Sequence, residues 1–249
     1  MSSLRVRASG LTDPGRMRSN NQDNFHIDLE RGLFLVSDGM GGQQAGEIAS
    51  QAVCQALPQA IHAILRQLRD APHRVVELTL REMVLRFSQQ LRDETAHKAG
   101  LKGMGATLDL LWLRQDQAHL VHMGDSRIYL WRGGQLRQLS EDHSVLALLL
   151  KHGDIQPEEA AEHPARGKLS RFIGMDGEVY PDVVTLPVQS GDRLLLCTDG
   201  LWGMVPDGKL AELLRAHPQP QAACQALVEA ANAQGGTDNI TVVIVECEW

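Results

Sequence analysis

The clearest periodic signals are two helical stretches in the first half of the chain. Ile48, Ala49, Ala52, Val53, Ala56, Ile61, Ile64, Leu65 and Leu68 recur at steps of three and four, the spacing of one helix face. Pro58 lies inside this stretch and predicts a kink or a division there. Val75, Leu78, Val84, Leu85 and Leu91 repeat the pattern over 74–98. Short apolar runs elsewhere predict strands. Weak alternation over 4–11 and the run LFLVS (33–37) precede the helices. After them, 106–114, 118–123, 127–132 and 135–139 read as consecutive strands, with turns at Gln115-Asp116 and Gly133-Gly134. Residues 144–168 are mixed, with a short apolar helix (Val145 to Leu150) and then a stretch rich in Glu, His and Pro. Strands return at 182–187 and 193–198, helices near 206–216 and 219–233, and the last strand is ITVVIVE (240–246). Helices in two blocks and strands in hairpin-like series predict antiparallel sheets and an α+β class. No low-complexity linker or solenoid repeat interrupts residues 1–249, so one domain is expected.

Composition narrows the picture. Hydrophobic residues are 43% of the 249 and aromatics only 4%, so the core must be largely aliphatic. A net charge of −7 argues against a nucleic-acid footprint. No stretch approaches the ~18 apolar residues of a membrane span, and MSSLRVRASG lacks an apolar signal core. Cys54, Cys197, Cys224 and Cys247 form no CxxC pair and sit at no zinc spacing, so reduced thiols and a cytoplasmic location are expected.

The candidate chemistry lies in four aspartates. VSDGMGG (36–42) and CTDGLWG (197–203) place Asp38 and Asp199 at the ends of apolar runs, and VHMGDSR (121–127) does the same for Asp125. GGTDNITVV (235–243) puts Asp238 just before a strand. Carboxylates at strand ends, flanked by glycines, can converge on one edge of a sheet core. Four clustered anions repel one another unless a cation neutralises them. All-oxygen donors suit Mg²⁺ or Mn²⁺. Two such ions about 4 Å apart can deprotonate a water for in-line attack on phosphorus. A phosphate also needs a donor fork, and Arg18 in TDPGRMRSNNQD (12–23) is the candidate, with Arg16 its neighbouring competitor.

These motifs resemble the metal-dependent protein phosphatases, the PPM or type 2C family, in their short bacterial form. Besides those quoted, GMGATL (103–108), LSEDHS (139–144), LSRFIG (169–174) and GDRLLLCTDGLW (191–202) follow in the family's order, and GGTDNITVVIVE (235–246) closes it. The resemblance implies a four-layer αββα sandwich: two antiparallel sheets face to face, each flanked by an antiparallel helix pair. It implies that Asp38 bridges two Mn²⁺ or Mg²⁺ ions, that the Gly39 carbonyl binds one, and that Asp199 and Asp238 bind the other. Asp125 would take a third, weaker ion, Arg18 the substrate phosphate, and Asp23 would orient metal-bound waters. The implied activity is protein serine/threonine phosphatase, with phosphorylated proteins as partners, a Ser/Thr kinase as the opposing writer, and a monomeric state. Residues 145–168 match the family's flap. Met40 departs from members that carry a histidine there as proposed general acid; a methionine cannot donate a proton, which leaves a metal-bound water as donor.

Other residues are read as structural. His119 and His122, three apart on one strand, should face opposite sides. His143 should make structural hydrogen bonds, while His152 and His163 in the flap should be solvated. Met40, Met104 and Met123 suit packing. Ser126 lacks the surrounding G-x-S-x-G elbow of a serine hydrolase. Two other functions stand beside the leading one: a pseudophosphatase that binds phosphoproteins without turnover, and a phosphohydrolase on the same scaffold acting on a small metabolite or serving as a partner-bound regulator. The presence of Asp38, Asp199, Asp238 and Arg18 together speaks against the first.

Overall fold

The structure, a computed structural model, describes residues 4–41 and 44–249. Gly42, the last glycine of VSDGMGG, lies outside the described residues. Three strands open the chain: β1 (Arg5–Asp13), β2 (Asp23–Asp28) and β3 (Leu33–Met40). Two long helices follow, α1 (Ala45–Leu68) and α2 (His73–Thr95). Then come β4 (Gly105–Ala106), β5 (Leu108–Arg114), β6 (Gln117–Met123), β7 (Arg127–Arg132) and β8 (Gln135–Gln138). Helix α3 (Val145–His152) and a 3₁₀ helix (Pro157–Glu162) precede β9 (Asp182–Pro187) and β10 (Arg193–Cys197). The chain ends with α4 (Asp199–Trp202), α5 (Asp207–Ala216), α6 (Pro220–Ala233) and β11 (Ile240–Glu248).

The strands form two antiparallel sheets. One has the order β1-β11-β10-β7-β8; the other runs β2-β3-β5-β6-β9, with β4 paired to β3. Side chains on a strand alternate between faces, and in β3, β5, β6, β10 and β11 both faces are largely buried. In β11, Ile240, Val242 and Ile244 pack under α5 and α6, whereas Val243, Val245 and Cys247 point between the sheets. In β3, Leu33 and Leu35 lie under α1, and Phe34 and Val36 face the other sheet. Two-sided burial explains why these strands read as unbroken apolar runs. Three apolar layers result, and the four-layer α/β/β/α architecture is as expected.

Several local expectations need correction. Pro58 does not divide the first helix, which runs unbroken from Ala45 to Leu68. Pro58 itself is buried in the packed face, and tertiary contacts there outweigh the backbone hydrogen bond it lacks. β2 was not foreseen, nor was the single turn of α4. The expected strand 106–114 is interrupted at Thr107. Its backbone N–H leaves the ladder and donates to the Asp38 carbonyl at 2.8 Å. β3 extends to Met40, so Asp38 lies within the strand and not beyond it. Among the described residues, no helix is long and apolar enough to cross a membrane.

Candidate active site

The predicted aspartates meet where the two sheets face each other at one end. Asp23 and Asp38 are cross-strand partners on β2 and β3. Asp38 shares the parity of Phe34 and Val36, so its carboxylate points between the sheets. From the opposite sheet, Asp199 enters at the first turn of α4, just after β10, and Asp238 stands two residues before β11. Asp125 comes from the loop between β6 and β7. The Asp38 and Asp199 carboxyl groups lie near enough for the charge of one to act on the other.

The carboxylates raise one another's pKa. Burial, then the charges of Asp23 and Asp199, hold Asp38 well above the usual carboxylate range. Asp125 is pushed up to about 7, by burial first and then by Asp199. Asp199 is pushed up to about 6, by burial and then by Asp238. Burial also takes Asp23 up to about 7, against the hydrogen bond that Thr198 Oγ1 donates to its Oδ2 at 2.8 Å. Asp23 Oδ1 and Asp199 Oδ1 are buried without a hydrogen-bond partner. Buried carboxylate oxygens that lack donors, among like charges, are a donor set suited to hard divalent cations. The residues present therefore fit the ions that the sequence led us to expect.

Arg18 reaches this bowl. Its Nη2 donates to Asp238 Oδ2 at 2.8 Å, with about half of the arginine side chain exposed. Arg16 turns elsewhere, lining a separate cavity with Asp13 and Asn232. Gly39 follows Asp38 in β3, and its N–H donates to the Gln22 carbonyl at 3.1 Å. The start of α1 packs directly on it: a Cβ on Gly39 would sit 1.9 Å from the Gly46 carbonyl oxygen, so no side chain fits there. A cavity of about 370 Å³ opens over Asp125, Asp199 and Asp238; residues Leu146, Ala147, Leu150, Arg166 and Gly167 of the expected flap form part of its wall. That segment is anchored by a bridge between Ser144 and Leu169, and Ser144 Oγ caps α3 by accepting from Ala147 N at 3.1 Å.

A supporting set of polar residues had escaped the sequence reading. Thr107 Oγ1 accepts from Asp38 N at 2.8 Å and lies 2.7 Å from Ser126 Oγ, so Ser126 is buried support. Asn239 pins the Arg18 loop: its Oδ1 accepts from Gln22 N at 2.8 Å, and its Nδ2 donates to the carbonyls of Pro14 and Asn20 at 3.0 and 2.9 Å. Trp202 Nε1 donates to the Asp125 carbonyl at 2.9 Å. The Arg127 guanidinium stacks 3.6 Å above the Trp202 ring and grips Asp142 with both arms, at 2.9 and 2.7 Å. Arg127 and Asp142 stood in GDSR and EDHS, and the pairing of a cation in one motif with an anion in the other was the available signal.

The histidines behave mostly as expected. His143 Nδ1 accepts from Gly124 N at 3.3 Å, and its Nε2 lies 3.1 Å from Asp182 Oδ2. His122 faces the space between the sheets and contacts Asp109 at 2.6 Å, while His119 lies on the helix side near Trp112. His163 is not simply solvated: its Nδ1 accepts from Ala165 N at 3.1 Å.

Known proteins share this build. The profile of the protein phosphatase 2C family matches residues 16–238. The serine/threonine phosphatase stp of Listeria monocytogenes is 37% identical over 244 residues, spanning 97% of this chain and 96% of that protein. The serine/threonine phosphatase of S. agalactiae superposes with a TM-score of 0.86 at 31% identity, covering 97% of this chain and 99% of that one. The catalytic domain of the serine/threonine protein phosphatase PstP, solved with two manganese ions, gives a TM-score of 0.80 at 31% identity over 99% and 100% of the two chains. The chain belongs to the protein phosphatase 2C family.

Proposed function

We infer that this serine/threonine phosphatase removes phosphate from phosphoserine and phosphothreonine in the acidic bowl between its sheets. The observation that supports this is the gathering of Asp38, Asp125, Asp199 and Asp238, with the Arg18 guanidinium paired to Asp238 at their rim. Asp38, the Gly39 carbonyl, Asp199 and Asp238 would hold two Mn²⁺ or Mg²⁺ ions, and Asp125 a third, weaker one. Bound there, such ions offset the carboxylate charge and make a water acidic enough to supply the nucleophile at neutral pH.

The chain's own residues do the rest. Arg18 grips two phosphate oxygens and orients the phosphorus for in-line attack, while Asp238 holds the guanidinium in place. Asp23, fixed by Thr198, orients the water around the bowl. The phosphorus–oxygen bond to the serine or threonine breaks as the incoming oxygen bonds to phosphorus. Met40 has no proton to give, so solvent in the bowl protonates the departing oxygen. The flap wall, 145–168, meets the protein part of the substrate. We further read the protein as a monomer in one domain, placed in the cytoplasm, where its four buried thiols stay reduced and a Ser/Thr kinase supplies its substrates.

Hydrolysis of p-nitrophenyl phosphate and of a phosphothreonine peptide, with Mn²⁺ or with EDTA, tests this. Turnover should need the metal and vanish in Asp38→Asn and Asp238→Asn. Asp125→Ala should keep two ions bound while turnover falls. Absence of metal-dependent turnover in the parent protein would falsify the assignment.

A further inference from the structure

The outer face of β2 carries a second set of metal-ligand side chains, away from the bowl. Phe25 and Ile27 pack into the core between the sheets. His26 and Asp28 therefore share the opposite face. Their cross-strand partners, Leu35 and Leu33, belong to the core beneath α1. From α1, His62 reaches the same place, its Nε2 standing 3.3 Å from Asp28 Oδ2. One donor atom from each of His26, Asp28 and His62 lies within 4.8 Å of the others, and among the described residues this is the one such group of three.

The donors are ready to ligate. Nε2 of His26 is sealed from solvent and has no partner, while Nε2 of His62, equally sealed, has only the Asp28 carboxylate beside it. A buried polar atom left without a partner calls for an explanation, and a bound ion supplies one. Burial, with His62 adding to it and Asp28 opposing, holds His26 below its ordinary pKa, which favours the neutral imidazole that binds metals. A tetrahedral ion with bonds of about 2.0–2.1 Å sets neighbouring ligand atoms about 3.3 Å apart. The His62–Asp28 pair already has that spacing.

We propose that His26, Asp28 and His62 form a transition-metal site of the zinc class, with an open fourth position, that clasps the edge strand β2 to helix α1. Two imidazoles and one carboxylate suit zinc, whereas the all-oxygen bowl suits magnesium or manganese. Arg31 is the competing partner: its Nη1 lies 3.0 Å from Asp28 Oδ2, and its backbone N donates to Oδ1 at 3.0 Å. The ion displaces the half-exposed guanidinium from Oδ2 and leaves the backbone bond, which keeps the carboxylate aimed. His26 is three residues from Asp23, about 10 Å along the strand. The clasp thus steadies the strand that carries Asp23 without entering the bowl.

The test titrates Zn²⁺ into the full chain with Mg²⁺ in large excess, to keep the bowl filled, and reads both heat and Tm. One Zn²⁺ should bind per chain and raise Tm with concentration. His26→Gln and His62→Gln should each weaken that binding roughly tenfold or more and remove the Tm rise, while Asp238→Asn retains both. Co²⁺ in place of Zn²⁺ should give the intense visible bands of a four-coordinate ion, absent in His62→Gln. His62 is partly exposed on a helix, so this variant stays interpretable if His26→Gln folds poorly. Zn²⁺ binding that persists in His62→Gln but is lost in Asp238→Asn would overturn the proposal, as would no binding by the parent protein.

Discussion

Arg18 has two claims on one guanidinium. Its Nη2 already pairs with Asp238, yet half of the side chain is open to solvent, so a phosphate can dock without pulling it out of a packed core. An exposed pair of this kind contributes little to stability, and its value lies in aim. Arg18→Ala should therefore leave Tm nearly unchanged while kcat/KM on a phosphopeptide falls ~10–100-fold, about 1.4–2.7 kcal/mol. Arg18→Lys should recover only part, because an ammonium cannot grip two oxygens at once. Equal stability loss and activity loss in Arg18→Ala would show a structural role instead. Asn239 sets the reach of the same arginine, since its side chain holds the loop at Pro14, Asn20 and Gln22. In Asn239→Ala the loop loses those three bonds, and KM should rise more than kcat falls. A fall in kcat alone would argue that Asn239 acts through its neighbour Asp238.

Among the elements, the 145–168 segment walls the cavity over Asp125, Asp199 and Asp238. It is tied down at its base by the Ser144–Leu169 bridge, and α3 ends at Gly153 in a left-handed turn, with φ of 75°. None of its residues is one of the clustered aspartates. Exchanging it with that of a relative should change which phosphoproteins are preferred and leave p-nitrophenyl phosphate turnover within about twofold. Equal effects on both substrates would place the segment in the chemistry and not in selection. The aspartates were legible in the sequence because each one stands close to an apolar run, and the ends of such runs gather at one end of the sheets. The elements that were not legible break that rule for physical reasons. β2 hides because DNFHID presents polar side chains, His26 and Asp28, to a helix, where most strands here present leucine and valine. α4 is a single turn, too short for periodicity. Thr198 and Asn239 find their partners 175 and 217 positions away, and no local pattern can announce such a contact.

The stability of the whole molecule at low pH should depend on a histidine remote from the bowl. His119 is fully buried on the helix side of its sheet, where the rings of Trp112 and His73 lie 5.3 and 5.7 Å away. Its Nδ1 lies 2.9 Å from Thr185 Oγ1, and its Nε2 has no hydrogen-bond partner. Burial first, and then the positive charges of Arg114 and His73, push its pKa down to about 4. Arg114 cannot move away, because its guanidinium holds the Leu68 and Ala71 carbonyls at the end of α1. In the unfolded chain the imidazole regains a pKa of ~6.5. The unfolded state then takes up the proton first as pH falls, so this group's contribution is full above pH ~6.5 and is lost between there and about 4. At ~1.4 kcal/mol per pH unit that window amounts to ~3 kcal/mol. The clustered carboxylates, whose pKa values are raised, act with the opposite sign, so the comparison must be between proteins that share them. His119→Gln keeps the size and a hydrogen-bonding end but cannot be protonated. Urea unfolding at pH 7 and at pH 4.5 should show the parent losing more stability than His119→Gln. Parallel losses in the two proteins would remove His119 from the account of acid sensitivity.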